Sequence, residues 1–177
     1  AIPVYGRSAD NIRDHRHVTS LLHRIATTEC GVEVTPVLSF DERGHQKNDT
    51  TYFVYGFTAE GNAPKEFYPT VESFIGEGGS FLIPEAVRVE KAGCAAGCHL
   101  EGKEAVGAFR FESRKLKANE SIEYVVLAGA TEEKASISKI CTLFGTKEQA
   151  QNELAKVKKY WTEKVNVSLK PVMKLQT

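Results

Sequence analysis

Neither charge sign is in excess in this chain, in which 23 lysines and arginines stand against 23 aspartates and glutamates. A neutral balance removes the broad basic footprint that nucleic acid or an anionic membrane surface selects, so neither is an expected partner. No stretch approaches the ~18 uninterrupted apolar residues of a membrane-spanning helix. The first residues, from Ala1 to Asn11, lack a basic start followed by an apolar run and do not read as a signal peptide. Cysteine is sparse. Cys30, Cys94, Cys98 and Cys141 are too few among 177 residues for a disulfide scaffold, and a reducing cytoplasm is the expected location. The chain has no phosphate loop, no dinucleotide-binding glycine pattern and no nucleophile elbow, so the commonest nucleotide-dependent and serine-hydrolase chemistries are not expected. It carries no internal repeat and no low-complexity segment.

What is present suits one ordinary globular domain, with 41% hydrophobic and 26% charged residues. The first two thirds read as strands. Val32, Val34, Leu38 and Phe40 alternate with Glu33, Thr35, Ser39 and Asp41, the period of a half-buried strand. An earlier strand is expected at roughly Arg16 to Thr27, with Cys30-Gly31 as the turn between them. Glu42 to Asn48 reads as a hairpin loop around Gly44, and Thr51 to Thr58 as the next strand of an antiparallel meander. Thr70 is placed to cap a short helix that Glu77-Gly78-Gly79 breaks. Phe81 to Ile83 and Val87 to Val89 suggest short strands, and Lys91 to Gly102 an exposed loop. Ala105 to Phe111 and Ile122 to Gly129 are further strands. The latter is apolar on both faces and is expected in the middle of a sandwich.

After Ala130 the period changes. Ile137, Ile140, Cys141 and Phe144 form one helical stripe that Gly145 ends. Thr146 and Gln149 form a capping box for a second helix. Its apolar face runs through Ala150, Leu154, Val157, Trp161 and Val165, with Trp161 as a packing anchor. The expected organisation is a β-sandwich over residues 1–130, a helical segment over 131–166 packing on it, and a linker or tail over 167–177.

Three clusters carry possible chemistry. Arg13, Asp14, His15, Arg16 and His17 put two guanidiniums, two imidazoles and a carboxylate into five residues, a set that holds sugar hydroxyls or phosphate through charge-assisted hydrogen bonds. The plain alternative is a solvated strand start with local ion pairs. Around Gly44, Asp41 and Glu42 resemble a glycosidase carboxylate pair, yet adjacent strand residues point apart, so they do not flank one bond. Cys94, Cys98 and His99 invite a metal, but the spacing is one residue longer than C-x-x-C and no second ligand pair is near. A loop with incidental thiols or a local disulfide is the plainer reading. Tyr52, Tyr55 and Tyr68 offer sugar-stacking faces, although strand aromatics more often belong to the core.

The words GRSADNIRDHRHVTSLLHRI (6–25), VTPVLSFDERGHQKNDTTYFVYGF (34–57), FYPTVESFIGEGG (67–79) and EAVGAFRF (104–111) together resemble the N-terminal region of the inverting β-glycoside phosphorylases, which include the cellobiose, chitobiose and 1,2-β-oligoglucan enzymes. The resemblance covers roughly Gly6 to Val165 and is closest to the 1,2-β-oligoglucan type. It implies a mainly β fold, an antiparallel β-supersandwich of the galactose-mutarotase type with a short C-terminal helical segment leading to an (α/α)6 catalytic barrel. The barrel supplies the catalytic aspartate, and inorganic phosphate is the co-substrate. No other cofactor and no metal are implied. The expected role is therefore noncatalytic, with the barrel, a β-linked glucose oligosaccharide and a second copy of the chain as partners. By the same resemblance Arg13, Asp14, His15, Arg16, His17, Arg43 and His45 become the candidates for contact with sugar or barrel. The alternatives are an autonomous carbohydrate-binding module and a mutarotase-like or hydrolytic enzyme using His15 or His17 with Asp41 or Glu42.

Overall fold

The computed structural model describes residues 2–3, 20–41 and 44–165. It is mainly β, with antiparallel sheets and a C-terminal helix pair. The strands are β1 (Ile2–Pro3), β2 (Arg24–Thr27), β3 (Gly31–Thr35), β4 (Val37–Asp41), β5 (Gly44–Asn48), β6 (Thr51–Thr58) and β7 (Glu66–Thr70). Two short helices follow, α1 (Val71–Ile75) and α2 (Glu85–Arg88), then β8 (His99–Glu101), β9 (Ala105–Arg110) and β10 (Tyr124–Thr131). Helices α3 (Ala135–Phe144) and α4 (Lys147–Lys164) complete the described chain. No described helix is long and apolar enough to cross a membrane.

Five strands form one sheet in the order β10-β6-β3-β2-β8, and three form another in the order β1-β9-β7. The two sheets share a core in which Ile25, Val32, Val34 and Val54 of the larger sheet close on Ala105 of β9. The approach is tight. A Cβ on Gly107 would lie 2.5 Å from Val54 Cβ, and one on Gly56 would lie 2.2 Å from the Phe109 ring, so both positions exclude any side chain without repacking. The opposite face of β6 presents Phe53, Tyr55 and Phe57 to Ile137 of α3. Alternation along β6 thus feeds two cores, one on each side of the sheet.

The expected strand running from Val32 through Asp41 is two strands in two sheets. Pro36 has no N–H to continue the ladder. Val37 follows at φ 71°, with Leu38 N–H donating to Pro36 O at 2.9 Å, a γ-turn that a β-branched residue adopts only under strain. The turn carries the chain into a separate two-stranded ribbon, β4–β5, paired from Val37↔Asn48 to Asp41↔Gly44. Residues 44–48, expected as loop, are therefore the ribbon's second strand.

Other expectations change as well. The strand expected from Arg16 is seen only as β2, since Ser20 to His23 form a turn closed by His23 N–H to Ser20 O at 3.1 Å. Val87 to Val89 belongs to the end of helix α2, and Phe81 to Ile83 is a turn closed by a Ser80↔Ile83 bridge. Residues 91–102 include β8 and an antiparallel bridge between Cys94 and Phe67. The strand expected in the middle of a sandwich is β10, which among the described residues pairs with β6 alone and lies at the edge of its sheet. Val125 and Leu127 face α3, but Val126 on the other face is 50% exposed. The central strand is β6 instead.

The caps behave as read. Thr70 accepts from Ser73 N–H at 3.1 Å while Ser73 Oγ accepts from Thr70 N–H at 3.1 Å. Thr146 and Gln149 make the same reciprocal pair at the start of α4. Trp161, expected as an anchor, is 57% exposed, and no residue of α4 is buried.

Candidate functional site

Arg13, Asp14, His15, Arg16 and His17 lie outside the described residues, as do Glu42 and Arg43. His45 is placed on β5, exposed, in register with Phe40. The ribbon β4–β5 forms a two-stranded sheet of its own, with the strained Val37 turn at its root. Strain of this kind persists only where the surrounding structure imposes it.

The aromatic residues separate by burial. Tyr68 and Tyr55 belong to the core. Tyr68 donates its hydroxyl to Lys91 O at 2.6 Å, and burial pushes its phenol up from the ordinary range. Tyr55 donates to Glu33, and burial followed by that carboxylate raises its phenol strongly. Neither ring is free for a ligand. Tyr52 packs against the inter-sheet core.

An open aromatic surface occurs elsewhere. Phe109, Phe111 and Tyr124 form a ladder, with Phe109 edge-on to Phe111 at 5.7 Å and Phe111 lying 4.5 Å from Tyr124. This ladder floors two adjoining clefts of about 380 and 350 Å³ that share Phe111, Glu112 and Ser113. The first continues past Lys65 and Arg110 to Phe74, and the second past Glu60, Asn62 and Arg114 to Tyr124.

The charges along this groove are fixed by partners. Lys65 pairs with Glu112 at 3.2 Å and Arg114 with Glu120 at 2.8 Å. Arg110 donates to Glu66, whose Oε2 also accepts from Gly93 N–H at 2.8 Å. The Gly93 amide, and then the Arg110 charge, hold the Glu66 carboxyl below the usual carboxylate range. The hydrogen bond from Thr58 does the same for Glu60. Both carboxyls are ionised acceptors at neutral pH rather than proton donors, the opposite of what a glycosidase acid needs. The groove offers an apolar platform bordered by fixed acceptors and guanidiniums, a chemistry suited to holding hydroxylated rings. The sequence signal for it was the Phe-Arg-Phe alternation at 109–111, which carries meaning only once Tyr124 is known to lie beside it.

Among the described residues no group of three or more His, Cys, Asp or Glu side chains is placed to hold a metal. Cys94 and Cys98 lie in the loop before β8, half-buried, and His99 opens β8 opposite Ala26, exposed. No protein-family model matches the chain, and no curated protein matches its sequence.

Proposed function

We propose that the chain is a noncatalytic domain of an inverting β-glycoside phosphorylase. It supports assembly and forms one edge of the sugar and phosphate pocket of an (α/α)6 catalytic barrel, with its sheets as part of a β-supersandwich of the galactose-mutarotase type. The observation that carries this reading is the apolar surface left open beside a well-closed core. Val126 on the edge strand and Leu154, Val157, Tyr160, Trp161 and Val165 along α4 are all exposed. Exposed apolar area on this scale marks a surface built to be covered by protein. The fixed ion pairs of the groove and the β4–β5 arm are the elements suited to reach a neighbouring pocket. Arg13 to His17 complete the reading through the resemblance alone.

Two arms test it. Incubated with phosphate and 1,2-β- or 1,4-β-linked gluco-oligosaccharides, the chain releases no sugar phosphate, and turnover by the chain alone overturns the reading. A barrel of this enzyme class, supplied as a separate polypeptide, binds the chain in sedimentation, and Trp161→Asp weakens that binding by about tenfold or more. Failure to bind equally counts against it.

The groove favours a second reading, an autonomous carbohydrate-binding module. Calorimetric titration with a β-glucan panel then shows binding that Tyr124→Ala abolishes, and flat titrations exclude it.

A further inference from the structure

The four cysteines fall into two settings. Cys30 and Cys141 pack as small apolar groups against the Phe53, Tyr55, Phe57 and Ile137 cluster. Cys94 and Cys98 belong to none of the core clusters and sit in a polar clamp that bridges the two sheets. Cys94 is tied to the three-stranded sheet, donating N–H to Phe67 O at 2.9 Å and accepting from Phe67 N–H at 3.0 Å. Cys98 is tied to the five-stranded sheet, where its carbonyl accepts from Thr27 N–H at 2.9 Å and its N–H donates to Thr27 Oγ1 at 2.9 Å. Thr27 fixes the residues between them as well. Its hydroxyl donates to Ala95 O at 2.8 Å, and its carbonyl accepts from Gly97 N–H at 2.8 Å. The backbone of this strap is thus held at both ends, with its two thiols near enough for Cys98 to push the Cys94 thiol upward. Both side chains are half-buried, so a small reagent reaches them without unfolding.

We propose that Cys94 and Cys98 form a reversible dithiol–disulfide site that locks the strap in its sheet-bridging conformation. The oxidant is a low-molecular-weight disulfide such as oxidised glutathione. A thiolate of the pair attacks one sulfur of that disulfide, forms a mixed disulfide and releases one glutathione thiol. The second cysteine gives up its proton and attacks the protein-bound sulfur, which closes the Cys94–Cys98 bond and releases the second glutathione. Two electrons and two protons pass from the chain to the glutathione pair. Burial, and then the neighbouring Cys98, push the Cys94 thiol up to about 11. Either cysteine can open the exchange, and the other then resolves it. The pinned strap, which holds the two cysteines four residues apart, keeps the resolving thiol near the mixed disulfide, so closure outcompetes escape. This site is independent of the phosphorylase reading.

The test equilibrates the folded chain in glutathione redox buffers, quenches by alkylation and maps the peptides. The expected result is an internal Cys94–Cys98 bond, with the mass of the chain lower by two hydrogens and restored by dithiothreitol. Cys94→Ser instead leaves a glutathione adduct on Cys98, while far-ultraviolet circular dichroism confirms that the variant is folded. If the buffers leave both thiols reduced, give only stable glutathione adducts on the wild-type chain, or oxidise Cys30 and Cys141 alone, the proposal fails.

Discussion

His23 is 1% exposed, and its ring is enclosed between β2 and the turn before β9. Nδ1–H donates to Lys103 O at 3.2 Å, while Nε2 has no hydrogen-bond partner among the described residues. Burial holds its pKa below the ordinary 6.5, against the opposing pull of the Lys103 carbonyl and the Glu104 charge. The imidazole is therefore neutral in the folded chain. Above pH 6.5 it is neutral in the unfolded chain too and contributes no pH dependence. Below that value the unfolded chain takes up a proton that the folded chain refuses, so stability falls as pH drops toward the depressed folded pKa. The slope from this one site is at most about 1.4 kcal/mol per pH unit. Urea unfolding at about pH 7.5 and about pH 5.5 checks it, the lower value lying where carboxylates still contribute little. The wild type loses more stability over that interval than His23→Gln, and equal losses would assign the effect elsewhere.

At the scale of elements, the readable features were those whose cause is local. Thr70 and Thr146 were legible as caps because a hydroxyl reaching an amide three residues on needs only the helix itself. The α3 stripe was legible because Ile137 faces Phe53, Tyr55 and Phe57, and burial follows the helical period. The misreadings came from features that depend on distant chain. Alternation continues through Pro36 without a break, yet the missing N–H and the turn at Val37 send the next five residues into another sheet. The stripe of α4 has the same periodicity as that of α3, but Leu154, Val157, Trp161 and Val165 along it stay exposed. Period reports which face is apolar and leaves open what covers it. The groove was illegible for a related reason. Phe111 and Tyr124 are thirteen residues apart in the sequence, and only the return of the chain through Lys117 and Glu120 brings their rings together. Arg13 to His17, the most distinctive cluster in the sequence, lie outside the described residues.

For the whole molecule, the open edge at β10 decides how the chain behaves in isolation. β10 is eight residues long, its ladder to β6 is unbroken from Tyr124↔Thr58 to Thr131↔Thr51, and among the described residues no strand lies on its outer side. An edge strand of this length, apolar on its exposed face and without an outward charge between Tyr124 and Thr131, is a template for pairing with another chain. The two faces of the strand make opposite predictions one residue apart. Val126→Lys places an ammonium on the exposed face. It lowers concentration-dependent association in sedimentation velocity while changing unfolding free energy by less than about 0.5 kcal/mol. Val125→Lys directs the same group into the cluster formed with Phe57, Ile137 and Ile140, and costs about 2–4 kcal/mol in urea unfolding. The pair of measurements reads the register directly, because a slip of one residue would exchange the two outcomes. If Val126→Lys leaves association unchanged, β10 is not the contact surface, and Leu154→Asp and Trp161→Asp test the exposed apolar face of α4 in the same experiment.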